Sequence, residues 1–450
     1  MERRASCTTE SEDERLDMRT RYYIEDAADY VGCEVTLEGW LAGKRSSGKI
    51  VFLIVRDGTG FMQCVAARND IGEDLFADLG ALPLESSLRV RGTVRADDRA
   101  PGGYELSATG AEIVHAAEEY PITRKEHGTA FLMDHRHLWI RSSRQFAALR
   151  VRAAVIGAIR RYLDSRGYQN IDTPILTPSA CEGTTTLFET RYFDQSAYLS
   201  QSGQLYNEAT AMALGKVYCF APSFRAEKSK TRRHLIEFWQ VEPEIAYADL
   251  NDIMDIEEDL ITEVVREILK TRLSELAILE RDLEPLRAVE PPFPRITYSE
   301  AVERIRAADS DVEISWGDDL GAEHETVLSL QFETPVLVHR YPRRVKPFYM
   351  EEDPADERVT LSVDMIAPEG YGEIIGGGQR VSDLETLERH IEEWKLDRGD
   401  YEWYLDLRRY GSVPHGGFGL GIERLVAWIC GLPHIRETIA FPRMLYRLSP

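Results

Sequence analysis

Long hydrophobic runs are missing from this chain of 450 residues. No apolar stretch reaches the roughly 18 residues that a membrane-spanning helix needs, so the sequence predicts no membrane partner. The opening segment, MERRASCTTESEDERLD, has no apolar core either. A secretory signal depends on such a core, and we therefore do not expect this segment to direct export.

Cysteine is also scarce, and no two cysteines form a CxxC pair. Such wide spacing does not provide the ligand cluster of a structural zinc site. It is typical of proteins that fold in a reducing compartment, which favours a cytoplasmic location. The six cysteines are Cys7, Cys33, Cys64, Cys181, Cys219 and Cys430.

Positive charge is in the minority. The chain has 54 Lys and Arg against 77 Asp and Glu, a net charge of −23. Broad, sequence-independent binding to nucleic acid requires an excess of cations, so we do not expect it. A local basic groove is still compatible with an acidic body. One such segment is FRAEKSKTRRHLIEFW at 224–239, which holds five Lys and Arg residues and two carboxylates.

Four regions follow one another along the chain. Residues 1–21 are polar and charged, which predicts a flexible tail. From 22 to 117, alternating β-branched runs broken by Gly, Asp and Ser indicate a small antiparallel barrel, such as the five-stranded oligonucleotide-binding (OB) fold. Residues 118–140 mix Pro, Gly, His and charge and predict a linker. Residues 141–450 combine strand-like and helical patterns, which indicates an α+β domain.

Helical periodicity is clearest in three segments of the last region. The patterns predict helices over about 143–165, 253–275 and 383–396. Ser382 and Glu385 have the spacing of a capping box for the third helix.

The basic segment is predicted to form the loop end of a β-hairpin. VYCFAPSFRAE and HLIEFWQVEPEIAYA have the pattern of two strands, with KSKTRR between them. Strand alternation would place Arg225 and Glu227 on one face, and His234 and Phe238 on one face of the return strand. A planar base stacked on Phe238, with a triphosphate along Arg225, would account for the cations. A solvated basic hairpin is the simpler alternative.

Three motifs decide between these alternatives. The basic segment resembles motif two of the class II aminoacyl-tRNA synthetases, which is Arg-x-Glu, a loop, then His or Arg and Phe. GFGLGIERL resembles motif three, Gly-x-Gly-x-Glu-Arg, and RRYLDSRGYQNIDTPIL, with Pro174, resembles motif one. The motifs occur in the family's order after a barrel, as in the aspartyl, asparaginyl and lysyl branch. The resemblance covers roughly residues 22–450 and implies an OB-fold anticodon-binding domain, then a catalytic domain with an antiparallel sheet flanked by helices.

Finer strings resemble the asparaginyl members most, among them LSQSGQLYNEA, APEGYGEIIGGGQR and WYLDLRRYGSVPH. Aspartyl enzymes usually have a lysine where this chain has Asn207, and that lysine pairs with the substrate carboxylate. A buried carboxylate without a cation costs several kcal/mol, whereas an amide needs only hydrogen bonds. The resemblance therefore implies an enzyme that activates L-asparagine with ATP and transfers it to tRNA(Asn).

Three other functions stay open at this point. An aspartyl enzyme that charges both tRNAs is the nearest. A tRNA-independent ligase or amidating paralogue on the same fold is the second, although an anticodon reader would serve no purpose in it. A noncatalytic RNA-binding protein is the third, and it predicts loss of ATP-site residues that this chain retains.

The resemblance implies a nucleotide site formed by motifs two and three. Arg225 would bridge the α-phosphate and the attacking carboxylate, because its planar fork holds two oxygens at once. Phe238 would lie under the adenine and Arg424 over it, and Arg225, Glu227 and Arg424 form the implied catalytic set. The full implied ATP set is Arg225, Glu227, Arg233, His234, Phe238, Glu373 and Arg424.

Magnesium is the implied cofactor, with Asp364 and Glu373 as its ligands. Mg²⁺ takes hard oxygens, usually one or two carboxylates together with phosphate. Glu373 stands in GEIIGGG, which we expect to be a strand running into three glycines. Two solvated acids are the alternative in a chain with 77 acidic residues. Members of the family often have Ser where this chain has Gly378.

The resemblance also implies a site for the amino acid. Glu182, Ser202 and Gln204 match residues that bind the substrate ammonium. Arg380 matches the arginine that reads the side-chain carbonyl. Polar loop residues often only satisfy backbone groups, which is the alternative for these positions.

The tRNA and a second copy of the chain are the implied partners. Phe52 and Gln63 match anticodon-reading positions in the barrel, with Arg56 nearby, and single-stranded bases are read by stacking and edge hydrogen bonds. Core packing is the alternative for Phe52. The motif-one helix and Pro174 resemble the dimer seam of this class, so we expect a homodimer. Residues 275–345 match the family weakly, and no site is assigned there.

Overall fold

The computed structural model describes residues 21–123, 125–182, 186–229 and 231–450. The predicted tail, except for its last residue, lies outside these ranges. The chain forms two compact units, Met1–Leu132 and Met133–Pro450, and their boundary falls inside the segment predicted as a linker. Within the described ranges, none of the helices combines the length and the hydropathy that a membrane span requires.

The first unit holds a closed five-stranded barrel. Its strands are β1 (Glu34–Ser47), β2 (Ile50–Arg56), β3 (Phe61–Ala67), β4 (Ser87–Ala96) and β5 (Tyr104–His115), paired in the order β1-β2-β3-β5-β4. Two short helices, α1 (Arg68–Ile71) and α2 (Glu73–Ala81), connect β3 to β4. Parallel pairing of β3 with β5 closes the barrel, so the predicted five-stranded barrel is confirmed.

Residue alternation decides which face of each barrel strand is buried. In β2, Val51, Leu53 and Val55 are buried in the barrel core, whereas Phe52 is half-buried on the other face. At the β2–β3 turn, the Asp57 carboxylate accepts two backbone N–H groups at 2.7 and 3.0 Å. A tight turn thus joins β2 to β3, and Phe52 does not belong to the barrel core.

The second unit is built on an eight-stranded sheet with the order β12-β13-β16-β17-β18-β11-β10-β6. Its central pairs are antiparallel. The strands of this unit are β6 (Gln169–Asn170), β7 (Leu176–Thr177), β8 (Glu189–Tyr192), β9 (Gln195–Leu199), β10 (Lys216–Phe224), β11 (Glu237–Ala246), β12 (Arg295–Thr297), β13 (Val336–His339), β14 (Glu352–Asp353), β15 (Asp356–Thr360), β16 (Ser362–Ala367), β17 (Gly372–Arg380) and β18 (His415–Gly421).

Helices flank this sheet, as the α+β prediction expects. After α3 (Thr129–Asp134), which spans the boundary between the units, they are α4 (Arg136–Trp139), α5 (Ser143–Ser165), α6 (Gln204–Leu214), α7 (Leu250–Thr271), α8 (Leu273–Ile278), α9 (Glu284–Arg287), α10 (Tyr298–Ala307), α11 (Ala322–Ser329), α12 (Leu384–Glu393), α13 (Arg398–Arg409) and α14 (Ile422–Cys430). The main core lies between the sheet and α5, α7 and α14, where Ile159, Leu260 and Trp428 are fully buried.

Two helix predictions need correction at their ends. Helix α5 has the predicted bounds. Helix α12 ends at Glu393 rather than at 396, and α7 begins three residues earlier than predicted and ends at Thr271 rather than at 275. Asp249 caps it by accepting the backbone N–H groups of Asn251 and Asp252 at 2.7 and 3.0 Å, so the polar cap and not the first apolar residue sets the start.

The capping box predicted for α12 is wrong by one residue. Asp383 is the N-cap and accepts the Thr386 N–H at 2.8 Å. The backbone N–H of Ser382 is instead bound by the carboxylate of Glu351 at 3.2 Å. Both Ser382 and Asp383 have side chains that can cap a helix. The contact of Ser382 with Glu351 leaves Asp383 as the N-cap.

Glycines let two central strands, β17 and β18, pack with almost no space between neighbouring backbones. A Cβ on Gly377 would lie 2.4 Å from the Cβ of Phe418, and one on Gly417 would lie 2.2 Å from the Pro243 oxygen. The three glycines of GEIIGGG are thus inside β17, which continues beyond them to Arg380. Because these strands carry few side chains here, the sheet leaves an open cavity above it.

Candidate active site

A cavity of about 560 Å³ lies over the centre of this sheet. It brings together residues from β10, β11, β16, β17 and β18 and from the segments that connect them. All the residues that the sequence predicted for ATP, the amino acid and magnesium line it: Glu182, Ser202, Gln204, Arg225, Glu227, Arg233, His234, Phe238, Asp364, Glu373, Arg380 and Arg424. Their individual roles stay predictions.

The hairpin of motif two is shorter than the sequence predicted. The paired strands end at Phe224 and Glu237, so Arg225, Glu227 and His234 lie in the connecting segment and strand alternation does not set their directions. The backbone N–H of Arg225 still donates to the Ile236 carbonyl at 3.0 Å, which holds the start of the segment against its end.

Arg225 occupies the centre of the cavity. Its guanidinium carbon lies 5.4 Å from the ring centroid of Phe238, and Nη2 lies 3.9 Å from Oε1 of Glu182. Burial lowers the pKa of Arg225, but the nearby carboxylates of Glu182 and Glu227 outweigh it and raise the pKa overall. Arg225 is thus a permanent cation with its Nε unbound in the described structure, and this N–H can donate to a further oxygen.

Arg233 is fixed by helix α11. Nη1 donates to Glu325 at 2.9 Å and to the Ala322 carbonyl at 3.0 Å, while Nη2 donates to Thr326 at 2.6 Å and to the carbonyl of Gly370. No site was predicted for this part of the chain, so the support that α11 gives to Arg233 was missed. A phosphate contact by Arg233 would have to replace or share one of these bonds.

His234 faces the same cavity from the motif-two segment. Its Nδ1 is hydrogen-bonded to Thr231, and Nε2 lies 3.9 Å from Oε2 of Glu227. Burial, followed by the charge of Arg424, lowers the pKa of His234. At neutral pH the ring is therefore neutral and has a nitrogen for hydrogen bonding.

The two predicted magnesium ligands lie on neighbouring strands. Asp364 accepts two bonds from Nζ of Lys346 at 2.7 and 2.6 Å, and Glu373 lies 3.2 Å from Nη1 of Arg424. Burial raises the pKa of Asp364, against the opposing effect of Lys346. For Glu373 the cations outweigh burial, so the pKa of its carboxyl is lowered.

This carboxylate pair fits a magnesium ion that also binds phosphate. A Cβ on Gly376 would lie 3.1 Å from Glu373 Oε1 and 3.2 Å from Asp364 Oδ1, so glycine keeps the space between the two carboxylates open. The described ranges contain no group of three or more metal-ligating side chains, and a cation here would need oxygens from a nucleotide. Lys346 was missed because nothing in its local sequence marks it.

Buried acids border the end of the cavity that is predicted to bind the amino acid, called the amino-acid end below. Glu242 accepts a bond from Ser202 and the Gly203 N–H at 2.9 Å, and Gln204 donates to Glu208 at 3.0 Å. Burial raises the pKa of Glu242. These acids were missed, although Gln240, Glu242 and Glu244 at alternate positions of β11 are a signal that all three face one site.

Arg380 is held beside this end by a buried ion pair. Its Nη2 lies 2.5 Å from Oε1 of Glu244, and its guanidinium lies 5.4 Å from the ring centroid of Tyr349. Tyr349 in turn donates to Glu182 at 2.8 Å. Burial raises the pKa of Glu244, against the charge of Arg380. Asn207 does not line the cavity, because its amide donates to the backbone carbonyl of Glu242 at 2.7 Å.

The barrel places two of its three predicted tRNA contacts on its outer face. The guanidinium carbon of Arg45 lies 4.1 Å from the ring centroid of Phe52. The side-chain amide of Gln63 donates to Glu105 at 3.2 Å. Arg56 is different, because it is buried and forms two bonds to Glu85 at 3.0 and 2.8 Å. Arg45 was not predicted from the sequence. It places a cation beside the ring of Phe52 on the outer face of the barrel.

Comparison with known proteins agrees with both units. Residues 129–445 match the family model of class II tRNA synthetases (D, K and N), and residues 35–114 match the OB-fold nucleic acid binding domain. An asparagine–tRNA ligase of Pelotomaculum thermopropionicum is 57% identical over 427 residues, which is 95% of this chain and 99% of that protein.

Solved structures are similar over the same length. An asparaginyl-tRNA synthetase from Pyrococcus horikoshii, complexed with asparaginyl-adenylate, is 48% identical with a TM-score of 0.90 and covers 96% of this chain and 99% of that one. One from Entamoeba histolytica, also with asparaginyl-adenylate, is 31% identical with a TM-score of 0.85 and covers 95% and 99%. The predicted OB fold and catalytic fold are thereby confirmed, and the chain belongs to the class II aminoacyl-tRNA synthetases of the aspartyl, lysyl and asparaginyl group.

Proposed function

We propose that this protein is an asparagine–tRNA ligase, which activates L-asparagine with ATP and transfers it to tRNA(Asn). The observation that carries this proposal is the amino-acid end of the cavity, where Arg380 and Glu244 form a buried ion pair. Relatives 56–57% identical over 95% of the chain are asparagine–tRNA ligases. An aspartate side chain would add a negative charge beside Glu244, whereas an amide adds none.

The first chemical step joins the amino acid to the nucleotide. A carboxylate oxygen of asparagine forms a bond to the α-phosphorus of ATP, and the bond from that phosphorus to the α,β-bridging oxygen breaks. Pyrophosphate leaves with the electron pair. Arg225 would hold one carboxylate oxygen and one α-phosphate oxygen, and Glu182, 3.9 Å away, would keep its fork in place.

The nucleotide would bind between Phe238 and Arg424. Phe238 offers a ring face for the adenine, and Arg424 is held on the other side by Glu373. Arg233, His234 and Arg424 would serve the outer phosphates. Asp364 and Glu373 would hold Mg²⁺, whose charge would offset that of the phosphates when it is bound.

Asparagine would be recognised at both of its ends. Glu182, Ser202 and Gln204 would bind the ammonium, with Glu182 oriented by Tyr349 at 2.8 Å. Arg380 would donate to the side-chain carbonyl oxygen, and Glu244 would accept from the amide NH₂. A carboxylate has no N–H to donate to Glu244, so aspartate would place a second negative charge against that carboxylate.

The second step transfers the amino acid to tRNA. A hydroxyl oxygen of the terminal adenosine attacks the acyl carbon, an ester bond forms, and AMP leaves with the electrons of the broken acyl–phosphate bond. Phe52 and Gln63 would read the anticodon, and Arg56 would shape the barrel wall through Glu85. We further propose a homodimer in which α5 and Pro174 contribute to the seam, and a cytoplasmic location.

ATP–pyrophosphate exchange tests the substrate assignment. The purified protein should exchange label in the presence of asparagine, and aspartate should support at most a small fraction of that rate. Exchange with aspartate alone would contradict the proposal. Acylation of a purified tRNA pool then tests the second step, and brisk exchange without acylation of any tRNA would favour a tRNA-independent ligase.

A further inference from the structure

A second cavity, of about 190 Å³, borders the active-site cavity in the catalytic unit. Arg233, Arg424 and Ile435 line both cavities, so these side chains form the partition between them. Arg232 lines only the second cavity. No step of the reaction described above uses Arg232.

Successive residues of motif two face different cavities. Arg232 lines the second cavity, His234 lines the first, and Arg233 between them lines both. Contacts with two other segments hold residues 232–234 in place. The Ile435 N–H donates to the Arg232 carbonyl at 3.2 Å, and α11 binds the guanidinium of Arg233 through Glu325 at 2.9 Å. The side chain of Arg232 therefore projects from a fixed backbone.

The charges around the second cavity leave one cation uncompensated. Arg233 and Arg424 have Glu325 and Glu373 as partners, and Glu369 pairs with Arg281 at 2.8 and 2.5 Å. In the described part of the chain, the guanidinium of Arg232 has neither a hydrogen bond nor an ion pair.

A second titratable group, His434, also lines this cavity. Burial, with the charges of Arg436 and Arg232, lowers its pKa to about 4. The ring is neutral at neutral pH and adds no charge of its own. The balance of the described groups is positive, so the cavity suits an anion.

We propose that this cavity binds inorganic pyrophosphate as it leaves the active site. The inference rests on the proposed function, which releases pyrophosphate next to Arg424 in the partition. A cavity of about 190 Å³ is smaller than the roughly 300–1,000 Å³ of sites for drug-sized ligands, which suits a diphosphate and a few waters. The planar fork of Arg232 can hold two of its oxygens at once.

The test varies pyrophosphate in the exchange reaction at fixed ATP and asparagine. Arg232→Gln should raise the KM for pyrophosphate about tenfold, the effect of losing one charge-assisted contact, with the KM values for ATP and asparagine within about twofold. Arg232→Lys keeps the charge and should give a smaller rise. Arg287→Gln is the matched control, because Arg287 is exposed and lines neither cavity.

Three outcomes would overturn the inference. One is an unchanged KM for pyrophosphate in Arg232→Gln. Another is a parallel rise in the KM for ATP, which would place Arg232 in the nucleotide site. The third is a defect confined to the KM for tRNA, which would assign the cavity to a tRNA phosphate.

Calorimetric titration with inorganic pyrophosphate alone separates this inference from the proposed function. Binding by the native protein that Arg232→Gln weakens supports the cavity's role, even if asparagine fails to support exchange. Equal binding by both proteins contradicts it, even if exchange with asparagine is brisk. Inorganic phosphate in place of pyrophosphate should bind more weakly, because it offers Arg232 and the partition fewer oxygens.

Discussion

The two ends of the active-site cavity are built differently. At the amino-acid end, the side chains of Arg380 and Glu244 are 2% and 1% exposed and bind each other. At the nucleotide end, the side chains of Arg225 and Arg424 are 28% and 26% exposed. The first end is a closed ion pair inside the protein, and the second is a set of cations that still face the open cavity.

This difference matches what each end would have to do. Telling an amide from a carboxylate requires fixed polar groups that have lost their water, since only then is a wrong partner costly. Binding a triphosphate requires cations that can exchange their protein partners for phosphate oxygens. Substitutions at the two ends should therefore separate selectivity for the amino acid from the rate of adenylate formation.

Arg225→Ala should have the largest effect on rate. It removes the cation that would stabilise the transferring phosphorus centre, and loss of one such donor costs about 10²–10³-fold or more. We expect exchange to fall by at least that factor while circular dichroism and thermal unfolding stay unchanged. Near-normal exchange would show that the reaction does not pass beside Arg225.

Glu244→Gln should instead change the choice of amino acid. Arg380 would lose its buried partner, so a substrate carboxylate becomes more acceptable and the ratio of kcat/KM for aspartate over asparagine should rise. Breaking a buried ion pair also costs about 3–5 kcal/mol of folding free energy, which denaturant unfolding would measure.

A partly buried ion pair provides the control for Glu244→Gln. Glu275 binds Arg150 at 2.7 Å and lies outside the cavity. Glu275→Gln should lower stability and leave the aspartate-to-asparagine ratio unchanged. If the ratio of kcat/KM for aspartate over asparagine were equal in Glu244→Gln and Glu275→Gln, Glu244 would have a structural role only.

Glu325→Gln should have a moderate effect confined to the nucleotide end. Glu325 accepts from Arg233 at 2.9 Å and from the backbone N–H of Glu373 at 3.1 Å, so it joins motif two to the predicted metal site. The KM for ATP in the exchange assay should rise about five- to tenfold, with little change for asparagine. Glu323 is exposed on the same helix, so Glu323→Gln should behave as the native protein. If Glu325→Gln changed only the KM for asparagine, α11 would support the amino-acid end of the cavity and not the nucleotide end.

The parts of the site that sequence predicted well are those that are close together in the chain. Arg225, His234 and Phe238 belong to one short motif, and its spacing points to a phosphate and a base. Lys346 and Glu325 come from segments without any such spacing, and only the fold brings them to Asp364 and Arg233. Supports of this kind follow from tertiary packing, which local patterns do not encode.

The fold shows the same division. Alternation of buried and half-buried residues in β2 and the apolar stripe of α5 predicted the barrel and the helix. The end of the motif-two hairpin and the cap of α12 were misplaced, because contacts with other segments decided them. Glu351 binding to Ser382 is one such contact.

Gln63→Ala should act only in the tRNA step and leave adenylate formation unaffected. Gln63 is held on the outer face of the barrel by Glu105 at 3.2 Å, beside the Arg45–Phe52 pair. Losing one base contact of about 1–3 kcal/mol should raise the KM for tRNA roughly tenfold and leave exchange unchanged. Glu73→Ala, on the exposed surface of α2, should leave both values unchanged. An unaltered KM for tRNA in Gln63→Ala would place the anticodon reader elsewhere on the barrel.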